Sequence, residues 1–301
     1  MNMKKKLVSI IVPVYSSQEL VDEFFKVFLE RPQDGSYELI IVDNASTDQT
    51  YNKLLEYQDA IPQLVVYTYN KKQSSYAARN YGVSVSKGDV LAFVDFDCKV
   101  TDKYLQNIDD FTESHKAGEI VAGAVDLYYV DKNIYEIFDK YANLKQESRV
   151  KRNSVLTANL IVYRQDYEAI GGFDEVVSGG DHAFSQKAVS QGFSVTYDEA
   201  YLVLHPPRAT YREHIIKAQR VGKGLSQVFA DSSVDFSSKL NFTFKKLLTL
   251  FFPLHQLSLV KKIVKENKLS GKEILMLIKL AYAVGFNSRL ASIKQILANK
   301  T

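Results

Sequence analysis

Between Val8 and Val94 the sequence switches repeatedly between two hydrophobic periods, and no other feature restricts its fold as much. Val8 to Val14 is an apolar run of strand length. Gln18 to Leu29 then carries Leu20, Val21, Phe24, Phe25, Phe28 and Leu29 at helical spacing. Tyr37 to Val42 predicts a second strand. Asn44-Ala45-Ser46-Thr47-Asp48 supplies capping residues for a helix near Gln49 to Tyr57. Leu64 to Tyr69 predicts a third strand, Ser74 to Ser86 a third helix, and Val90 to Val94 a fourth strand. This alternation predicts a parallel α/β sheet with right-handed crossovers. Ligands of such sheets bind beyond the carboxyl ends of the strands. Pro13-Val14-Tyr15-Ser16, Asp43-Asn44 and Asp95-Phe96-Asp97 are therefore expected to converge on one crevice.

The fourth strand ends in two carboxylates. A strand has period two, so Asp95 and Asp97 are expected on one side and Phe96 on the other, in packing. Like charges that close repel, and a hard divalent cation between them removes the cost because it prefers oxygen ligands. The plainer alternative is a pair of solvated turn aspartates. No G-x-G-x-x-G or G-x-x-x-x-G-K-[ST] is present, so the standard dinucleotide and P-loop cradles are missing. A nucleotide here would need a metal and basic side chains to neutralise its phosphates.

A net charge of +3 gives no bulk attraction for nucleic acid. The single cysteine, Cys98, allows no intramolecular disulfide, which fits a reducing compartment. Its expected role is packing. The basic residues Met1 to Lys6 and the apolar run after them resemble a signal peptide, but the run is short and stops at Pro13, so it reads as a first strand. No apolar segment is expected to approach the ~20 residues that span a bilayer. A cytoplasmic protein, soluble or peripheral on the inner face of the plasma membrane, is the expectation.

Further along, Glu119 to Val125 and Val155 to Tyr163 predict strands, and Lys132 to Arg149 a helix. Arg164 to Ile170 predicts a short helix closed by Gly171-Gly172, and Ala183 to Gln191 another. Phe193 to Tyr197 and Tyr201 to Leu204 predict short strands, and from Tyr211 the chain reads as helix.

Several stretches now stand in one order: Val8 to Tyr15, Ile40 to Asp48, Ala77-Ala78-Arg79-Asn80, Gly88-Asp89 leading into Asp95-Phe96-Asp97, Gly171-Gly172-Phe173-Asp174-Glu175, and Gly180-Asp181. Together they resemble the family 2 glycosyltransferases of GT-A fold, over roughly residues 7 to 225. The resemblance implies a mixed, mainly parallel sheet flanked by helices, as residues 1–230 (a nucleotide-binding half, 1–100, and an acceptor half, 101–230), with a helical region at 231–301. It implies an inverting transferase, a nucleotide-sugar donor, usually UDP-linked, and Mg2+ or Mn2+. The expected acceptor is a glycan or lipid-linked saccharide of the cell surface.

Carried over residue by residue, the resemblance puts Pro13, Val14 and Tyr15 at the nucleoside and Asp43 and Asn44 at its base or ribose. Many relatives have a second aspartate at the position of Asn44. Arg79 would lie near the nucleotide. Asp95 and Asp97 would hold the metal and ribose. Asp181 would be the general base that takes a proton from the acceptor hydroxyl; it also reads as a helix N-cap. Asp174 is the rival base, expected to be structural. Relatives often place Glu before the base, where this chain has Gly180. His205, in Leu204-His205-Pro206-Pro207-Arg208, would be a third metal ligand. Arg212 and Arg220, with Arg208 and Lys217, would hold the diphosphate, where guanidinium suits bidentate contacts; the alternative is a solvated basic helix face. The Gln-x-x-Arg-Trp element of processive relatives is excluded, since the chain has no tryptophan. That favours addition of a single sugar.

Two other classes compete. Sugar nucleotidyltransferases carry a glycine-rich basic loop after the first strand, where this chain has Pro13-Val14-Tyr15-Ser16-Ser17. A non-catalytic scaffold would not need Asp95, Asp97 and Asp181. At the C-terminal end, Phe242 to Lys265 and Ile274 to Phe286 mix apolar bulk with lysines. This suits a membrane surface, or else a helical appendage or dimer contact.

Overall fold

The computed structural model describes residues 6–30, 37–142, 145–230 and 254–298. The part of Phe242 to Lys265 before Leu254 lies outside them. The chain forms two compact units.

The first unit, Met1–Asp126, Leu144–Glu175 and Gly180–His205, carries an eight-stranded sheet. The strands are β1 (Val8–Val14), β2 (Tyr37–Asp43), β3 (Leu64–Thr68), β4 (Val90–Val94), β5 (Lys99–Val100), β6 (Glu119–Leu127), β7 (Asn159–Tyr163) and β8 (Ser194–His205). Their order is β3-β2-β1-β4-β7-β6-β8-β5. The β3-β2-β1-β4 half is parallel throughout. The β4–β7, β6–β7 and β5–β8 pairs are antiparallel. The sheet is thus mixed, with its parallel half where the alternating periods predict one.

Helices α1 (Val21–Leu29), α2 (Thr50–Leu55) and α3 (Ser75–Val85) fall between the parallel strands. The apolar stripe of α1 buries Val21, Phe24, Phe25 and Phe28, each on the order of 2–3 kcal/mol of apolar burial. Every residue of β1 is buried, as a strand covered on both faces requires. Shorter helices follow: α4 (Asp102–Asp109), α5 (Phe111–Ser114), α7 (Gln146–Val150), α8 (Arg164–Ile170) and α9 (Gly180–Ser190). Gly171 ends α8 in the left-handed region at φ 92°, a conformation that costs glycine little.

The second unit, Leu127–Asn143, Val176–Gly179 and Pro206–Thr301, contains α6 (Ile134–Ala142), α10 (Tyr211–Ala230), α11 (Leu254–Glu266) and α12 (Gly271–Ala298). Ile137 and Phe138 of α6, Val260 and Ile263 of α11, and Leu277 and Leu280 of α12 form its core. The Glu136 carboxylate, fully buried, accepts the backbone N–H groups of Val130, Asp131 and Lys132 at 3.0 to 3.1 Å.

Four expectations change. The stretch expected as one helix over Lys132 to Arg149 is α6 and α7. The two short strands expected after Phe193 are one strand, β8, whose Asp198-Glu199 masks its continuity in the sequence. The strand expected from Val155 begins at Asn159. Finally, Gly271–Ile296 is long and apolar enough to cross a membrane, with a mean hydropathy of 1.3 over its most apolar window, 22% of which is buried. Lys279 and Arg289 interrupt this stretch and hide its length from a search for uncharged runs.

Candidate active site

The strand ends of the parallel half meet through their loops. Ser16 (φ 44°) follows β1 and Ala45 (φ 62°) follows β2; both are non-glycine residues in the left-handed region, where such strain gathers at functional sites. The Ser16 backbone N–H donates to Ser46 Oγ at 2.8 Å, and the Ser17 N–H to Thr50 Oγ1 at 2.7 Å. Asp43, 3% exposed, accepts from the backbone N–H of Ser46 at 3.2 Å and from its hydroxyl. Asn44, 4% exposed, uses its side chain on the loop after β3. Its Nδ2 donates to the carbonyls of Tyr69 and Lys72 at 2.8 and 2.9 Å, and its Oδ1 accepts from Ser74 N–H at 2.8 Å. Pro13 and Val14 are buried, whereas the Tyr15 side chain projects outward, 47% exposed.

Asp95 and Asp97 lie beyond β4, in a turn that Cys98 N–H closes on the Asp95 carbonyl at 3.0 Å. Strand alternation therefore does not govern them, and they acquire separate partners. Asp95 is paired with the guanidinium of Arg79, a buried residue on α3. Asp97 has its carboxylate 3.4 Å from His205 Nε2, at the end of β8. Phe96 points into packing as expected, stacked on Phe24 with ring centroids 4.6 Å apart.

The ligand-capable atoms of Asp97, Cys98 and His205 all lie within 4.8 Å of one another. Metal–ligand bonds of about 2.0–2.4 Å bridge such a spacing, so the donor set fits a divalent cation. Burial first, then the Asp97 and Asp95 carboxylates, pushes the Cys98 thiol well above its ordinary range.

Asp181 sits in the first turn of α9, one residue inside its start. Tyr76 Oη donates to its Oδ1 at 3.2 Å. Tyr76 and Arg79 share one face of α3, three residues apart, with the guanidinium 5.7 Å from the ring centroid. Helix α3 therefore carries one side chain to Asp95 and another to Asp181. Burial pushes the Tyr76 phenol up, and the Asp181 carboxylate adds to the shift. Asp174 is engaged with Lys187 at 2.5 Å.

Arg149 of α7 also belongs here, and the sequence did not single it out. Burial lowers its guanidinium from the ordinary range, opposed by the field of Asp181 and reinforced by Arg152. The segment after it is pinned along α9: Val155 N–H donates to Ser185 Oγ at 3.1 Å, and Gln186 Nε2 to the Asn153 carbonyl at 3.0 Å. Its only sequence signal is a basic run, Arg149 to Arg152, which also describes any solvated surface. Arg212 and Arg220 lie exposed on α10 of the second unit. Arg208, in the same unit, is committed to Asp139.

The sequence is 34% identical over 226 residues to the glycosyltransferase AglE of Haloferax volcanii, 74% of each chain being covered. The fold is similar to that of the mannosyltransferase PcManGT from Pyrobaculum calidifontis, solved with GDP-Man and Mn2+: the TM-score is 0.63 at 17% identity, covering 99% of this chain and 89% of the other. It is also similar to S. aureus TarS 1-349 in complex with UDP-GlcNAc, with a TM-score of 0.54 at 16% identity, covering 97% and 92%. Residues 9–171, which hold β1 to β4, the Asp95–Asp97 turn and α3, match the model of glycosyl transferase family 2; with its GT-A sheet and this match, the chain belongs to that family and is a glycosyltransferase.

Proposed function

We propose that this enzyme transfers a sugar, with inversion, from a UDP-linked donor to a hydroxyl of a glycan or lipid-linked saccharide during synthesis of cell-surface polysaccharide or glycolipid. The observation that carries the reading is the meeting of Asp97 with His205, which are far apart in sequence, beside the Asp95–Arg79 pair. Asp97 and His205 would hold Mn2+ or Mg2+. Such an ion, when bound, supplies Lewis-acid stabilisation of charge on a leaving diphosphate. PcManGT and TarS were solved with nucleotide sugars, PcManGT also with Mn2+, which supports a donor of this class.

The remaining roles fall to this chain's own groups. Asp181 accepts the acceptor's hydroxyl proton as its oxygen bonds to the anomeric carbon, while the bond from that carbon to the diphosphate oxygen breaks. Tyr76 holds the Asp181 carboxylate in place. Arg79 positions Asp95 for the ribose. Tyr15 covers the nucleoside, with Pro13, Val14 and Asp43 forming the wall behind it. Asn44 shapes that wall through the loop it ties down.

The second unit supports a peripheral site at a membrane. Leu257, Leu275, Ile278 and Tyr282 are exposed, among the exposed lysines Lys261, Lys262, Lys265, Lys268, Lys272 and Lys279. Apolar side chains interleaved with cations suit an anionic lipid surface.

Calorimetry tests the donor reading. UDP is expected to bind the wild type only with Mn2+ present, and Asp97→Ala is expected to lose that binding. A wild type that binds GDP but not UDP overturns the uridine assignment.

A further inference from the structure

The turn after β4 places a thiol where the proposed cation would sit. The β5–β8 register pairs Val100 with Val203 and Lys99 with Leu204. Extending this antiparallel register by one residue brings Cys98 opposite His205. The sheet thus fixes the relation between sulfur and imidazole, and Asp97 follows from its place beside Cys98. The Cys98 sulfur is 4.0 Å from Asp97 Oδ1 and 3.9 Å from the Ala158 carbonyl, and the residue is 1% exposed. His205 is 5% exposed. Two of the three donors are therefore held in the protein interior, and only the Asp97 carboxylate opens to solvent.

We propose that Cys98 is a ligand of this site, so that Asp97, Cys98 and His205 together capture a borderline-soft divalent cation, Zn2+ or Co2+, in preference to Mg2+ or Mn2+. The inference rests on the reading that Asp97 and His205 hold a cation. Oxygen donors suit hard ions, whereas a mixed oxygen, nitrogen and sulfur set is characteristic of Zn2+. The order of intrinsic affinities also rises from Mn2+ through Co2+ and stays higher at Zn2+. Binding exchanges the S–H bond for a metal–sulfur bond and releases one proton to solvent, with no change in oxidation state. Mg2+ and Mn2+ would use Asp97 and His205 alone and leave the thiol protonated. The consequence is a transferase whose working ion can be displaced by a thiophilic one, with Cys98 setting the exchange.

Cobalt absorption tests this directly, because Cys98 is the chain's single cysteine. The full-length protein is titrated with Co2+ while calorimetry monitors binding. A near-ultraviolet thiolate-to-cobalt charge-transfer band growing to one equivalent is expected in the wild type. Bound Co2+ without that band overturns the proposal, and this arm needs no variant. In Cys98→Ser and Cys98→Ala, Zn2+ affinity is expected to fall about tenfold or more, while Mn2+ affinity changes less than about threefold. Unchanged Zn2+ affinity in both variants also overturns it. Asp97→Asn and His205→Gln separate the two readings. Loss of Mn2+ and Zn2+ binding in these variants is the expected result; wild-type binding of both ions would remove the cation site itself, and the proposal with it.

Discussion

Arg208 closes on the buried carboxylate of Asp139 twice over: its backbone N–H donates at 3.0 Å, and its Nη1 lies 3.0 and 3.1 Å from the two oxygens. Burial alone would raise the Asp139 carboxyl; the charges of Arg208 and Lys217 outweigh it and hold the group below its ordinary range. Removing the guanidinium takes from this buried carboxylate the largest charge that offsets its desolvation. Arg208→Ala is therefore expected to destabilise the second unit by about 3–5 kcal/mol, read as a lower thermal midpoint. Arg208→Lys should recover part of that loss.

The same cluster predicts acid sensitivity. Burial holds the His214 imidazole below its ordinary value, helped by Arg208 and Lys217 and opposed by Asp139 and by its bond to the Tyr135 carbonyl at 3.1 Å. A histidine with a depressed folded pKa stabilises fully above its unfolded value. As pH falls below about 6.5 the unfolded chain takes up the proton first, and stability is lost down to the folded value. The depressed Asp139 carboxyl adds a further loss at lower pH. Thermal midpoints should therefore fall between about pH 7.5 and pH 5.5, and His214→Gln should flatten that slope.

Asn44 predicts a substitution that looks mild and is not. Its Nδ2 donates to two carbonyls. Asn44→Asp keeps the shape but sets a carboxylate oxygen against both, in a buried site. The expected cost is about 2–3 kcal/mol, measured by denaturant unfolding, and nucleotide binding should weaken with it. Stability equal to wild type would show that Asn44 does not hold the loop.

Turnover distinguishes the two candidate bases. Asp181→Asn is expected to lower kcat by about 10²–10⁴ while donor binding persists. Asp174→Asn removes a surface contact with Lys187 and should leave kcat within a few-fold. Tyr76→Phe, which deletes only the hydroxyl that donates to Asp181, should lie between them. A reversed order of the two aspartates would reassign the base.

For the membrane face, Ile278→Glu should reduce sedimentation with anionic lipid vesicles without lowering the thermal midpoint, because the side chain is exposed, at 40%. Unchanged sedimentation would move the contact elsewhere on the chain.

The parallel half of the sheet was legible because each strand is a continuous apolar run and each helix carries its own stripe. β1 and β4 match their predicted bounds at both ends. β8 was not legible as one strand, because its first part is half exposed and acidic and carries no apolar run. The site was legible as residue types more than as partners. That Asp97 faces His205 rather than Asp95 depends on a turn that ends the strand period, and on a β5–β8 register set by distant residues. Arg208 reads as one more phosphate-binding arginine until Asp139, on α6, is found against it. Tyr76 was within reach, three residues before Arg79 on the same helical face.

Gly180 stands where the family resemblance leads one to expect an acidic residue. A Cβ there would come within 2.9 Å of both the Tyr76 ring and the Asp174 carbonyl. The two positions are consequently not independent variables. An acidic residue introduced at 180 alone enters occupied space, and shortening Tyr76 relieves one of the two contacts while the Asp174 backbone still has to give. Any route between the two versions of this site, natural or in a laboratory library, therefore has to move position 76 and the backbone at 174 along with position 180.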